Sequence, residues 1–98
     1  MYNKHKAMED SKFKDLYDTL TYKGINIDED VRYGNYNGNE GYYFRKKDKK
    51  YFSLEEENII EKIFIENENF ELIAIDSPDE DGDRYWPASI QFMDKNNF

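Results

Sequence analysis

Cysteine is absent from the chain, and a single histidine, His5, is present. Without thiols there is neither a disulfide framework nor a thiolate metal site. Without a second imidazole there is no His-rich zinc site, and no thiol–imidazole couple for nucleophilic catalysis. Long apolar runs are missing too. The first fifteen residues, MYNKHKAMEDSKFKD, are mostly polar and contain no apolar run, and they read as neither a signal peptide nor a membrane span. Leucine and valine are scarce, at four and one. What is abundant is aromatic: seven Phe, nine Tyr and one Trp in 98 residues. A chain of this length suits one domain, residues 1–98, with the rings carrying most of the core. The expectation is a soluble, cytoplasmic protein.

Charge is unevenly placed. Residues 1–50 hold eleven Lys or Arg against nine Asp or Glu, and residues 51–98 hold three against thirteen, for a net of −8. An acidic half repels phosphates and attracts basic surfaces over a Debye length of about 8 Å at physiological salt. Direct duplex binding is disfavoured.

Phe13, Leu16, Tyr17 and Leu20 recur at i, i+3, i+4 and i+7, which predicts a helix over 7–22 stopped by Gly24. Residues 1–6, with His5, read as a loose terminus. Asn37-Gly38 suits a type I′ turn joining strands over 31–36 and 39–46. Lys47-Asp48-Lys49 then turns the chain into a third strand over 50–54. Ser53-Leu54-Glu55-Glu56 fits a capping box, and Ile59, Ile60, Ile63 and Phe64 share one helical face, so a helix is expected over 54–66, with a strand as its rival. Residues 70–76 and 84–93 read as strands, the second holding Pro87, which belongs at an edge or a strand start. The sum is α-β-β-β-α-β-β: an α+β domain with an antiparallel sheet of about five strands, one N-terminal and one central helix.

The segment DSPDEDGD, 76–83, resembles a fragment of the EF-hand calcium loop. With Gly82 on the loop's glycine, Ser77 takes the first ligand position and Ala88 that of the bidentate glutamate. With Asp79, Asp81 and Asp83 as the first ligands, Arg84 falls on the glycine and Ile90 on the glutamate. Neither register works, and a solvated turn between strands is the simpler reading. No metal and no cofactor are expected. GNYNGNEG lacks the Gly-Lys-Ser/Thr of a phosphate loop and leads into a strand. The serines, Ser11, Ser53, Ser77 and Ser89, lack a nucleophile-elbow context, and any carboxylate pair chosen for glycoside hydrolysis is arbitrary. The chain does not read as an enzyme. RKKDKK, 45–50, flanked by Tyr42, Tyr43, Phe44, Tyr51 and Phe52, has the composition of a single-strand nucleic-acid platform, but with a net charge of −8 a charged hairpin tip is the favoured reading.

The remaining signal is the acidic half. Glu55, Glu56 and Glu57 suit a helix N-terminus. Glu61, Glu66, Glu68, Asp76, Asp79, Glu80, Asp81 and Asp83 (with Glu71) are left over, and Tyr85 and Trp86 beside them have the character of interface anchors. If these share one face, the chain is an acidic binding module that covers a basic, nucleic-acid-binding surface of a larger protein. In size, charge and aromatic content it is similar to the small inhibitors of phages and mobile elements, including anti-CRISPR and anti-restriction proteins, without sharing a motif with any. Alternatives are an immunity protein or antitoxin against a basic toxin, a phage structural protein, and a regulatory domain whose pocket cations, Arg32, Arg45 and Lys47, hold a nucleotide-like ligand.

Overall fold

The computed structural model describes residues 4–6, 11–36, 39–48 and 50–95. Helix α1 is Ser11–Tyr22, and its stripe points inward: Phe13, Leu16 and Leu20 are buried. Residues 7–10, in the expected first turn, lie outside the described residues. The helix ends in a Schellman motif. The Ile25 amide donates to the Leu20 carbonyl and the Gly24 amide to the Thr21 carbonyl, both at 3.0 Å. Gly24 sits at φ 90°, a region that costs residues with a Cβ. Leu20 and Ile25, the apolar pair of the motif, are both in the core.

Strand β1, Lys4–Lys6, precedes α1, and β2 (Asp30–Tyr36) and β3 (Asn39–Arg45) follow it. The β2–β3 hairpin has Tyr36 opposite Asn39; Asn37 and Gly38 lie outside the described residues. Residues 4–6, expected to be loose, instead add an edge strand to β2, with His5 opposite Val31. An unpaired edge presents backbone donors and acceptors that any extended segment can satisfy.

The third strand expected over 50–54 does not form. Asp48 gathers the chain there. Its carboxylate accepts from Lys46 Nζ at 2.8 Å, from the Lys50 amide at 2.9 Å and from Asn26 at 3.4 Å. Phe52 is then buried as a connector, and Leu54 joins helix α2, Leu54–Glu66. The capping box at its start is closed both ways: Ser53 Oγ accepts from the Glu56 amide at 3.1 Å, and the Ser53 amide donates to Glu56 Oε1 at 2.8 Å. That local chemistry favours the helix over its strand rival, and burial of Ile60, Ile63 and Phe64 anchors it. At the far end, Asn67 Oδ1 accepts from the amides of Asn69 and Phe70 at 2.7 and 2.9 Å, turning the chain into β4, Phe70–Asp76.

The segment expected as one strand over 84–93 is two. Strand β6 (Arg84–Trp86) pairs with β5 (Asp79–Asp81) in a separate two-stranded hairpin, and β7 is Ser89–Asp94. The break falls at Pro87-Ala88, where proline has no amide to donate; the Ala88 carbonyl accepts from the Lys46 amide at 2.8 Å. The main antiparallel sheet has the order β1-β2-β3-β7-β4. Its last strand in sequence thus occupies the place beside β3 that local reading assigns to 50–54. The α+β class and a five-stranded antiparallel sheet are as the sequence predicts.

Both helices lie on one face of the sheet. Phe92 of β7 is the hub of the layer between them: its ring centroid lies 5.2 Å from Phe44, 5.1 Å from Phe70 and 5.6 Å from Phe64 of α2. Phe13 of α1 stacks on Phe70 at 5.1 Å. Side chains alternate along a strand, so the residues between these turn to the other face, which carries no helix among the described residues.

A candidate ligand cleft on the helix-free face

The helix-free face is made of residues one step out of phase with the core. On β3, Tyr42 and Phe44 pack against the helices, so Tyr43 and Arg45 point away. On β7, Ile90 and Phe92 are in the core, so Ser89 and Gln91 point away. The small hairpin hangs over this face and closes one side of a cleft of about 610 Å³. Gly34 and Gly41, paired in register, contribute to its floor. Ile73 is the extra residue of a bulge in β4 between Leu72 and Ala74, and it too lines the cleft. A bulge re-aims side chains in this way.

Polar groups stand on these walls in a fixed order. Arg45, Ser89 and Asp76 are consecutive cross-strand partners on β3, β7 and β4. Tyr43 and Gln91 form the next row. The Arg45 guanidinium lies 6.0 Å from the Tyr43 ring centroid, a cation–π distance, and among the described residues it has no carboxylate partner within ion-pair reach. Gln91 Nε2 donates to Asp76 Oδ2. Gln91 is 9% exposed, and its Oε1 has no partner. Burial pushes the Asp76 carboxyl above its ordinary 3.8, against the Gln91 hydrogen bond, which acts the other way. Trp86, 47% exposed, makes no ring contact with a described residue. On the same face, Arg32 of β2 is opposite Tyr43 in register. It is 8% exposed, and its Nε and Nη1 are unpartnered.

The acidic residues singled out from the sequence do not form one surface. Glu61 and Glu66 are exposed on α2 and Glu68 just beyond it, all with the helical layer. Asp76 is half-buried in the cleft on the opposite side. Asp79, Glu80 and Asp83 are exposed on the hairpin, Tyr85 is half-buried there, and Trp86 lines the cleft. Asp81 belongs to β5 opposite Arg84, and its side chain lies outside the described residues. The EF-hand-like stretch is this hairpin, with Gly82 at φ 61° in its turn. Among the described residues, no cluster of three or more His, Asp or Glu side chains could hold a metal ion.

The basic tip is also divided. Arg45 faces the cleft, while Lys46 is buried, paired with Asp48 and 5.4 Å from the Phe52 ring. Lys47 and Lys50 are exposed, and Lys49 lies outside the described residues. Of the three cations expected around a pocket, Arg45 lines the cleft, Arg32 lies on the same face, and Lys47 is on the loop that follows β3. Ile73 and Gln91 are not among the site residues that the sequence suggests, and Tyr43 figures there only as a ring flanking the basic tip. The signal for Tyr43 and Gln91 was alternation, each being out of phase with its buried neighbours.

No family model, curated protein or solved structure matches the chain. Among the described residues no helix is long and apolar enough to cross a membrane.

Proposed function

We propose that this chain is a small acidic binding module that docks onto a basic surface of a larger protein, of the kind that holds nucleic acid. Its hairpin side makes the contact. The observation that carries this reading is the β5–β6 hairpin itself. Asp79, Glu80 and Asp83 are exposed on it beside the half-exposed Trp86, and none of the three acids forms an ion pair with a described residue. Among the described residues this charge is therefore available. Carboxylates around an aromatic anchor suit an interface that is steered by charge and held by a ring. The acids of α2 point from the other side of the sheet and add long-range field without contact.

Two charge-reversal variants separate these roles once a partner has been recovered from the native cell. Reversal of Asp79, Glu80 and Asp83 to lysine is expected to slow association at least about tenfold and to weaken its salt dependence. Reversal of Glu61, Glu66 and Glu68 is expected to change it by less than about threefold, through the long-range field alone. A larger loss from the helical set would assign the contact to α2 instead.

A further inference from the structure

We propose that the cleft on the helix-free face is a binding site for a free, zwitterionic α-amino acid with an apolar side chain. The cleft shares Trp86 and Asp79 with the proposed docking surface, but it rests on Arg45, Asp76 and Gln91 and stands whether or not the hairpin docks on a partner.

The argument starts from charge placement. Arg45 and Asp76 project from strands on either side of β7, with only Ser89 between them. Two strand spacings separate their backbones by roughly 10 Å. They do not pair with each other. Arg45 rests on the Tyr43 ring and Asp76 accepts from Gln91. A cation and an anion facing one slot, held apart by a small residue, match a ligand that carries both charges.

An α-amino acid fills each position. Its carboxylate takes the planar fork of the Arg45 guanidinium, which accommodates two parallel hydrogen bonds. Its ammonium donates to Asp76 and to Gln91 Oε1. That oxygen is a buried acceptor without a partner, and a small turn of the Gln91 amide brings it to the incoming donor, which relieves an unmet acceptor. The ligand side chain lies against Ile73 and the open face of Trp86, both on the cleft wall. The volume of about 610 Å³ is within the ordinary range for small-molecule sites and leaves room for a large side chain.

The surrounding field selects among ligands. Asp79 lines the cleft, Glu80 and Asp83 stand on the same hairpin, and the chain carries a net −8. A phosphate-bearing ligand is repelled by that field, whereas a zwitterion, with no net charge, meets no such barrier. A peptide chain terminus brings one of the two charges only and leaves either Arg45 or the Asp76–Gln91 pair unanswered.

Calorimetric titration of the full-length protein tests this. The probes are L-phenylalanine and L-leucine, then the matched single-charge compounds phenethylamine and 3-phenylpropionate, and guanosine 5′-monophosphate. Saturable binding of at least one amino acid is expected, with each single-charge compound at least about tenfold weaker, the scale of one lost charge-assisted hydrogen bond. Arg45→Gln and, independently, Trp86→Ala are expected to weaken the amino acid by about tenfold or more, with circular dichroism confirming the fold of each. The proposal is overturned if neither amino acid binds at about 10 mM, a concentration well above millimolar affinity. It is equally overturned if a single-charge compound matches its parent, if the nucleotide binds more tightly, or if both folded variants bind like the wild type.

Discussion

Along β3, Tyr42 and Phe44 turn into a layer of packed rings, while Tyr43 and Arg45, their immediate neighbours, turn into an open cleft. Along β7 the same division separates Ile90 and Phe92 from Ser89 and Gln91. The helix-covered face is apolar and continuous, with Phe92 touching rings from both helices and from two neighbouring strands, β3 and β4. The helix-free face is glycine, tyrosine and unpaired polar atoms. A sheet with one buried and one wet side is common in antiparallel folds. Here the wet side also buries polar groups without satisfying them, which a face kept only for solubility does not need. The packed core lies on one side, and the proposed recognition on the other.

Substitutions one residue apart measure that division. Phe92→Ala removes the hub and is expected to cost about 3–5 kcal/mol, read by equilibrium denaturation. Its neighbour Gln91→Ala removes one hydrogen bond to a half-buried carboxylate and is expected to cost about 1 kcal/mol. Equal losses at the two positions would erase the distinction between the faces.

The pH dependence gives a smaller contrast between two aspartates of ordinary pKa 3.8. Asp76, in the cleft, is raised by burial, with the Gln91 hydrogen bond opposing. The folded chain therefore binds more protons than the unfolded one between 3.8 and the raised value, and stability rises as pH falls through that window. Asp48 is lowered, first by the Lys46 hydrogen bond and then by the Lys50 amide. Its contribution is present above 3.8 and is lost as pH falls through the depressed value. Relative to wild type, Asp76→Asn is thus expected to look progressively worse on acidification, and Asp48→Asn progressively better. Unfolding curves at neutral pH and near pH 3 check both signs, and the opposite order would mean that the two environments have been misassigned.

Much of the fold was legible in the letters. The bounds of α2 follow from a capping box that is a purely local device, and Phe70–Asp76 from a short β-prone run. The misreadings concern pairing across long separations. Nothing near residues 50–54 indicates that β7, some forty residues on, takes the place beside β3. A two-residue break at Pro87-Ala88 likewise changes which sheet a strand joins. The cleft was legible in part, since Tyr43 and Gln91 betray themselves by alternation. The hairpin that roofs it and the bulge that brings in Ile73 come from tertiary packing. The acidic residues illustrate the same limit, because proximity in sequence does not say which side of the sheet each one takes.

The claim that the helix-free face serves recognition is tested most directly by equilibrium unfolding of the Arg45→Gln/Trp86→Ala double variant. Arg45 has no ion pair among the described residues and Trp86 is about half exposed, so the free energy of unfolding is expected to stay within about 1 kcal/mol of wild type. A loss approaching that of Phe92→Ala would mean that the cleft walls hold the fold together, and the division between the two faces would not stand.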